Sequence, residues 1–327
     1  MFDLAVIWFA LIVFAILMYI VMDGFDLGVG MLFAMVDDSE QRDRMVNSVA
    51  PVWDGNETWL VLGGAGLMGA FPLAYAQVLE ALTAPLLVML LALLVRGVAF
   101  EYRFKAPQLS RHWWDKGLFC GSWLATFCQG LVLGAFIQGA AAGQSHWLTP
   151  FSLFCGVALT VTYTLLGAVW LIIKMDGALQ QRMRQLAHTL LWQLLICMAV
   201  VSAWTPLTDE RIAARWFGEG HWQWLWPVPV LAAWCALQLR TSLQRDRTYR
   251  PFLLALALVV LGFAGLGISL WPYLVPPQLT LWQAAAPASS LRFMLVGAVC
   301  ILPLVLAYTA WSYYVFRGKT APGEGYH

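Results

Sequence analysis

Long apolar segments recur along the whole chain, and this pattern limits the fold more than any other feature of the sequence. An α-helix needs about 20 mostly apolar residues to cross the hydrocarbon core of a bilayer. Of the 327 residues, 61% are hydrophobic and only 11% are charged, whereas soluble domains carry about 25% charged residues. The sequence therefore predicts an all-α membrane protein. The candidate spans are 4–22 (extending towards 36), 58–77, 80–100, 118–140, 151–173, 188–206, 223–239, 252–271 and 292–316.

The distribution of Lys and Arg residues orients these spans. Cytoplasmic loops of membrane proteins carry an excess of positive charge. With the N terminus outside, 16 of the 19 Lys and Arg residues fall in cytoplasmic segments, and the exceptions are Arg211, Arg215 and Arg292. Removing or adding one span breaks this alternation, so we predict nine spans, a periplasmic or extracellular N terminus and a cytoplasmic C terminus. The seventh span is the weakest, because Pro227 and Pro229 interrupt it.

A short internal repeat indicates how the spans are grouped. The tripeptide Met-Asp-Gly ends the first span at 22–24 and the fifth span at 175–177. Three matching residues are also compatible with chance, and repeats of this kind do not identify a function. We predict one four-helix unit in residues 1–140, a second in 141–271, and a ninth helix with a cytoplasmic tail in 272–327.

The first candidate site is the acidic segment at the end of the first span. Asp23 and Asp26 are three residues apart and therefore share one face of a helix. Gly24 and Gly28 lie on the same side, and small residues at this spacing let another helix approach closely. Carboxylates at membrane depth are costly and usually functional, although residues beyond the hydrocarbon would simply be hydrated. We predict that both carboxylates lie against a neighbouring helix near the inner membrane surface.

A second acidic segment opens the second span, where Asp54 and Glu57 are again three residues apart. One interpretation is helix capping, since this spacing fits a variant of the capping box. Trp53 and Trp59 flank the pair, and anchoring at the membrane interface would account for them. The other interpretation is functional, because the first two spans are neighbours and both acidic segments reach the same inner end. Carboxylates gathered there would exchange protons with the cytoplasm or contribute to a quinone-binding region.

Arg96 lies near the inner end of the third span, in the charged segment 96–105. A charged side chain within the membrane is much less costly when it is paired. Asp26, Asp54 and Glu57 are the candidate partners on neighbouring helices. The alternative is snorkelling, in which the side chain extends to the membrane surface, and the sequence leaves both interpretations open.

No motif in the sequence predicts a metal or haem site. A membrane-embedded haem needs axial ligands such as His or Met, but the histidines fall in loops, at span ends or at the terminus. We therefore expect this chain to ligate no haem with its own residues. The six cysteines form no CxxC pair, and the net charge of +1 gives no indication of nucleic-acid binding. The histidines are His112, His146, His188, His221 and His327.

Five stretches of the chain, in this order, resemble subunit II of the cytochrome bd-type quinol oxidases. The resemblance covers the whole chain and is densest in the first hundred residues. Runs such as PVWDGNETWL are long and rich in uncommon residues, so chance is a poor explanation. The sequence is closer to the cyanide-insensitive branch of the family. The stretches are MDGFDLGVG (22–30), NSVAPVWDGNETWL (47–60), FPLAYA (71–76), RGVAFEYRFK (96–105) and LPLVLAYTAWSYY (302–314).

The resemblance implies a subunit of a terminal oxidase in the bacterial cytoplasmic (inner) membrane. Such a complex oxidises quinol and reduces dioxygen to water with protons drawn from the cytoplasm. Haem b, haem d and the quinol-oxidising site belong to subunit I, and a small single-helix subunit accompanies some pairs. Subunit II packs beside subunit I in the lipid, and some members bind a structural quinone. No independent catalysis is expected of the present chain.

The resemblance also assigns roles to individual residues. Glu57 stands where some family members carry an uncharged residue. Gln283 stands where members often carry aspartate, which puts any carboxylate function there in doubt. The residues predicted for a proton path are Asp23, Asp26, Asp54 and Glu57, and those predicted to bind quinone or to support the structure are Trp53, Trp59 and Arg96.

Two other classes of function fit parts of the sequence. An ion-coupled secondary transporter would also use internal repeats, intramembrane acids and glycine-broken helices. It would need a polar site near mid-span, whereas the acidic residues here cluster at predicted inner helix ends. A purely structural scaffold would not need Asp23, Asp26 and Asp54. The sequence therefore favours the oxidase subunit.

Overall fold

The computed structural model describes residues 3–139, 147–218 and 225–320. Within these ranges the chain forms twelve α-helices and one short antiparallel hairpin. The helices are α1 (Leu4–Leu32), α2 (Ser39–Asn47), α3 (Trp53–Ala70), α4 (Pro72–Arg103), α5 (Gln108–Ile137), α6 (Pro150–Lys174), α7 (Gly177–Thr208), α8 (Glu210–Phe217), α9 (Pro227–Gln244), α10 (Arg250–Leu270), α11 (Leu281–Ala284) and α12 (Ala288–Val315), and the hairpin pairs β1 (Tyr273–Val275) with β2 (Leu279–Thr280).

Seven helices in the described ranges are long and apolar enough to cross a membrane, namely α1, α4, α5, α6, α7, α10 and α12. Two more, α3 and α9, have 18 residues each, which is about 27 Å of helix. They are more polar, because α3 carries Asp54 and Glu57 in its first turns and α9 carries Gln238 and Arg240. The prediction of an all-α membrane protein is confirmed, while nine membrane crossings stay a prediction.

The predicted boundary between the second and third spans, at 77–80, is wrong. Instead, α3 ends at Ala70 and α4 begins at Pro72. Proline favours the first position of a helix, where a backbone N–H would have no partner. Residues 77–80 lie inside α4, just before a kink at which Leu82 has non-helical torsion angles. Pro85 accounts for this kink, since it cannot donate a hydrogen bond to the preceding turn.

The two Met-Asp-Gly tripeptides occupy different structural positions. Residues 22–24 lie inside α1, which continues for about two more turns to Leu32, in agreement with the predicted extension of the first span towards 36. Residues 175 and 176 connect α6 to α7, and Gly177, the first residue of α7, has a φ of +60°. The tripeptides are therefore not structurally equivalent, and the division into two four-helix units stays a prediction.

Glycines bring α1 directly against α6. A Cβ atom on Gly28 would lie 1.9 Å from the carbonyl oxygen of Tyr163, and one on Gly167 would lie 2.4 Å from the carbonyl carbon of Gly28. Gly24 meets the Tyr163 ring one turn earlier, so the contacts advance in the same direction and the helices run parallel. The close approach predicted for Gly24 and Gly28 is confirmed. The predicted placement of these glycines on the same side as the carboxylates is wrong, because the glycines face α6 whereas Asp23 and Asp26 face α4 and α3.

An ion-pair network holds the ends of α2, α4 and α5 together. The buried Arg103 of α4 lies 2.6 Å from Asp43 and 2.6 Å from Asp115. Asp115 also pairs with Arg42 at 2.9 Å, and the Arg103 guanidinium lies 5.5 Å from the centre of the Phe33 ring. The connection between α1 and α3 is therefore anchored, which fixes the two helices that carry the acidic residues.

Apolar side chains cover the outer faces of α4 and α12. Leu91 and Leu94 of α4, and Phe293 and Leu304 of α12, are each more than half exposed, at 60%, 62%, 83% and 70%. An apolar surface of this kind is unfavourable in water but not in hydrocarbon. These faces therefore meet lipid or another apolar membrane subunit.

Candidate functional site

An ion-paired cluster links α1, α3 and α4 inside the bundle. Arg96 of α4 is fully buried, and its Nη1 donates to Asp23 Oδ1 of α1 at 2.8 Å and to Glu57 Oε1 of α3 at 3.0 Å. The Asp23 side chain is also fully buried, whereas that of Glu57 is 27% exposed. A single guanidinium thus connects a partly accessible carboxylate with an enclosed one.

A second polar link joins α1, α3 and α12. Asn56 donates through Nδ2 to Asp26 Oδ2 at 2.6 Å and to the carbonyl oxygen of Met22 at 3.3 Å. Its Oδ1 accepts from the Tyr313 hydroxyl at 3.0 Å. Because the amide donates on one side and accepts on the other, it holds the Asp26 carboxyl in a defined orientation.

Three further polar side chains extend the cluster away from Glu57. The buried Tyr19 lies one helical turn before Asp23 on the same face of α1. Gln129 of α5 donates to the Tyr19 hydroxyl at 2.7 Å and accepts from the Tyr163 hydroxyl at 3.2 Å. The sequence analysis did not identify these residues. The four-residue spacing between Tyr19 and Asp23 could have indicated that Tyr19 lies on the same helix face as this carboxylate. Gln129 could have been identified as a polar amide within an apolar span, since such residues are usually functional.

The charges in the cluster do not balance unless protons are bound. Arg96 carries a permanent positive charge, and the carboxyl groups of Asp23, Asp26 and Glu57 are its electrostatic neighbours. The group as a whole is neutral when two of these three carboxyls are protonated. Each further ionisation adds a negative charge in a low-dielectric interior, which is costly.

The structure decides between the interpretations that the sequence left open for Arg96 and for the two aspartates of α1. Snorkelling is wrong, because no part of the Arg96 side chain reaches the surface. Of its predicted partners, Glu57 is confirmed, whereas Asp26 and Asp54 do not pair with it directly and Asp23 does. The alternative that Asp23 and Asp26 lie beyond the hydrocarbon and are simply hydrated is also wrong, since both side chains are buried against neighbouring helices.

Asp54 lies apart from the buried cluster. The residue that caps α3 is Val52, so Asp54 is inside the first turn and the capping interpretation is wrong. Its side chain is exposed and lines an open groove of about 410 Å³, together with Trp53, Tyr308 and Ser312. A carboxylate in the first turn of a helix interacts favourably with the helix dipole, and here it also faces this groove.

The two candidate tryptophans have different surroundings. Trp53 stacks on Phe100, with ring centroids 5.2 Å apart and an interplanar angle of 25°, and forms a wall of the groove. Trp59 is 1% exposed and meets Phe14 edge to face at 5.8 Å. Trp59 is therefore part of the core beside α1, and interface anchoring does not account for it.

Gln283 has a structural role that fits its neutral side chain. Its Oε1 accepts from the backbone N–H of Thr280 at 3.0 Å and from the Thr280 hydroxyl at 2.8 Å, which caps the short helix α11. The neighbouring Trp282 donates through Nε1 to Asp3 at 2.7 Å, which ties this helix to the start of α1.

The described part of the chain contains no group of three or more His, Cys, Asp and Glu residues that could hold a metal. Of the histidines, His112 is exposed and His188 is partly buried. His146, His221 and His327 lie outside the described residues.

Comparisons with known proteins match this chain over nearly its whole length. The family model for cytochrome bd terminal oxidase subunit II matches residues 4–316. Cytochrome bd-I ubiquinol oxidase subunit 2 of Escherichia coli (strain K12) is 30% identical, over 96% of this chain and 94% of its own. Cytochrome bd ubiquinol oxidase subunit 2 of Bacillus subtilis (strain 168) is 29% identical, over 97% of each. The solved bd oxidase from Geobacillus thermodenitrificans has a similar fold, with a TM-score of 0.76, 20% identity, and coverage of 96% of this chain and 98% of that one.

Proposed function

Because the chain belongs to the cytochrome bd terminal oxidase subunit II family, we propose that its Asp23–Arg96–Glu57 cluster delivers cytoplasmic protons for the reduction of dioxygen. The chain is an integral membrane subunit of a bacterial quinol oxidase, and its partner is the haem-carrying subunit I. In this proposal the partner holds haem b and haem d and oxidises quinol. A small single-helix subunit joins the pair, the N terminus is periplasmic or extracellular, and the C terminus is cytoplasmic.

Protons enter this path at Glu57. Its side chain is 27% exposed, whereas Asp23 and Arg96 are fully buried, so Glu57 is the member of the cluster that solvent can reach. Asp54 lies one turn earlier on α3 and is exposed, which suits a carboxylate that collects protons at the surface. The predicted cytoplasmic loops carry most of the positive charge, and this is compatible with Glu57 and Asp54 lying near the cytoplasmic surface of the membrane.

Arg96 carries the main support for the proposal, since one of its nitrogens contacts both carboxylates. Two oxygens bound to the same nitrogen are within about 6 Å of each other, a gap that one water molecule can bridge for proton transfer. The permanent charge of Arg96 stabilises whichever carboxyl has released its proton. A proton can therefore move from Glu57 to Asp23 without leaving an uncompensated buried anion.

Asp26 forms a second proton-holding position beside this path. Asn56 orients one of its oxygens, while Asp26 Oδ1 and two nitrogens of Arg96, Nε and Nη2, have no hydrogen-bond partner among the described residues. Buried polar atoms are ordinarily satisfied by protein groups or by water. Hydration of these atoms would connect Asp26 with the Arg96 cluster and continue the path towards the partner subunit.

The experiment is a comparison of two glutamates in the purified complex with subunit I. Glu57→Gln removes the acid that is in contact with Arg96, and we expect oxygen consumption to fall by roughly tenfold or more, with an unchanged haem spectrum. Glu80→Gln serves as the control, because Glu80 is an exposed residue of α4 outside the cluster. Wild-type turnover in Glu57→Gln would refute the proton path at this residue.

The groove beside Asp54 supports a further role, the binding of a structural quinone. Trp53 offers an aromatic wall, and the hydroxyls of Tyr308 and Ser312 are donors suited to a quinone carbonyl oxygen. Trp53→Leu should lower the amount of quinone that co-purifies with the complex, measured by solvent extraction and chromatography. Trp226→Leu, at an exposed tryptophan before α9, is the matched control. Equal quinone content in both variants and the wild type would exclude the groove.

The ion-coupled transporter is not favoured. The family model and the relatives that match nearly the whole chain are oxidase subunits. The buried acids are also paired with an arginine and an asparagine of this chain. A transport site would need such groups to be free for a substrate ion.

A further inference from the structure

A second cavity lies at the end of α6, separate from the Arg96 cluster. Its volume is about 390 Å³, and its walls come from the connection between α2 and α3, the last turns of α6 and the segment that follows α12. The polar residues that matter for its chemistry are Ser48, Trp170, Lys174, Lys319 and Thr320.

Lys174 is the central charge of this cavity. The residue is only 4% exposed, and its ammonium donates to the carbonyl oxygens of Phe316 and, at 3.1 Å, Gly318. No carboxylate lies within 4.0 Å of it in the part of the chain that the structure describes. The ammonium also lies 5.0 Å from the centre of the Trp170 ring. Carbonyl dipoles and an aromatic ring compensate only part of a buried charge, so the site favours an additional anion.

Two other features of the cavity point to the same ligand chemistry. The indole of Trp170 is 7% exposed, and its Nε1 has no hydrogen-bond partner among the described residues. An indole N–H can only donate, so it needs an acceptor. Lys319 also lines the cavity; its side chain is exposed and has Asp176 as an electrostatic neighbour. Ser48 already donates to the carbonyl oxygen of Met45.

We propose that this cavity binds a phosphate group, supplied by the headgroup of an anionic phospholipid. A phosphate offers several acceptor oxygens and a negative charge, which matches two ammonium groups and an indole N–H. The cavity lies at the last residue of a membrane helix, the depth at which lipid phosphates are found. The predicted cytoplasmic side is also where anionic lipids attract basic residues.

The test uses the purified oxidase complex in detergent, with phosphatidylglycerol and phosphatidylcholine as probes and native mass spectrometry as the readout. Trp170→Phe removes the N–H but retains an aromatic ring, and Lys174→Met removes the charge. Lys105→Met is the control, since Lys105 is 73% exposed and outside the cavity. We expect phosphatidylglycerol to bind more tightly than phosphatidylcholine, and both cavity variants to weaken it roughly tenfold.

Inorganic phosphate distinguishes the two sources of the ligand. If it does not displace phosphatidylglycerol, the lipid is the ligand. Displacement at millimolar phosphate with the same dependence on Trp170 would instead assign the site to free phosphate and overturn the lipid source. Unchanged phosphatidylglycerol binding in Trp170→Phe would overturn the site itself. That variant decides the matter even if Lys174→Met fails to assemble, because it leaves the contacts between Lys174 and the C-terminal segment intact.

Discussion

Arg96 and Asp23 form an ion pair across 2.8 Å in which neither side chain is exposed to solvent. The two residues are 73 positions apart in sequence and join α4 to α1. A buried pair of this kind tolerates the loss of one partner poorly, because the remaining charge is left uncompensated. The pair therefore stabilises the contact between α4 and α1 and is also part of the proposed proton path.

Loss of one member of this pair should destabilise the complex more than loss of both. We expect Arg96→Met to cost about 3–5 kcal/mol, and the double variant Asp23→Asn, Arg96→Met to cost less. Thermal melting of the purified complex, followed through release of haem, measures both. If the double variant is as unstable as Arg96→Met, Asp23 is not the charge that Arg96 compensates.

Asp54→Asn should have a smaller effect on oxidase turnover than Glu57→Gln. Asp54 is exposed and outside the buried hydrogen-bonded cluster, and its influence on Glu57 is screened by solvent. We expect oxygen consumption to fall by less than about tenfold, with normal assembly. A loss greater than that of Glu57→Gln would move the main entry point from Glu57 to Asp54.

Gly28→Ala should disrupt the contact between α1 and α6. The added Cβ would lie 1.9 Å from the Tyr163 carbonyl oxygen, and such overpacking costs about 1–3 kcal/mol or more. Gly262→Ala in α10 is the matched control, because nothing lies within 4 Å of a Cβ built there. Its melting temperature should stay the same or rise, since alanine favours helix over glycine. Equal melting of the two variants would contradict the close approach of α1 and α6 at Gly28.

Asn56→Leu should be more harmful than Tyr313→Phe. The first substitution leaves both Asp26 and the Tyr313 hydroxyl without their partner, whereas the second removes only one donor to Asn56. Each unsatisfied buried polar group costs about 1–3 kcal/mol. The melting temperature and the turnover of the two variants provide the comparison. An effect of Tyr313→Phe that equals that of Asn56→Leu would mean that Asn56 does not position Asp26.

The attachment of the C-terminal segment should weaken in acid. Arg44 donates to Asp176 at 2.8 Å and to the Thr320 carbonyl oxygen at 3.0 Å, and the first contact lowers the pKa of Asp176 below its ordinary value of 3.8. A lowered pKa in the folded state stabilises the fold above 3.8, and this contribution is lost as the pH falls through the folded-state pKa. The protection factor of the Thr320 amide, which is the exchange rate of an unstructured peptide divided by that of the folded protein at the same pH, should therefore fall as the pH drops below about 4.

Asp176→Asn is the control for this pH effect. At pH 5 the variant should have a lower protection factor at Thr320 than the wild type, and this protection factor should lose most of its pH dependence, because no carboxylate is left to protonate. A pH dependence that persists in Asp176→Asn would assign it to another group.

Local sequence patterns predict the helices well where apolar runs are long and uninterrupted. They fail at 77–80, because a proline that starts a helix and a proline that kinks one look alike in a hydropathy profile. Pro72 starts α4 and Pro85 bends it, and only the packing of neighbouring helices distinguishes these outcomes. The extension of the first span past residue 22 is predicted by the sequence, and the structure ends α1 at Leu32.

The sequence by itself determined the membrane class, the helical fold and the acidic segments, because each depends on composition or on spacing within one helix. It also identified Arg96 as a charge that needs a partner. Only the tertiary structure decided that Asp23 and Glu57 are these partners and that Asp54 is not. The physical reason is that pairing between helices depends on the rotation and depth of each helix, and the packing of α1 against α6 through Gly28 and Gly167 sets these for α1.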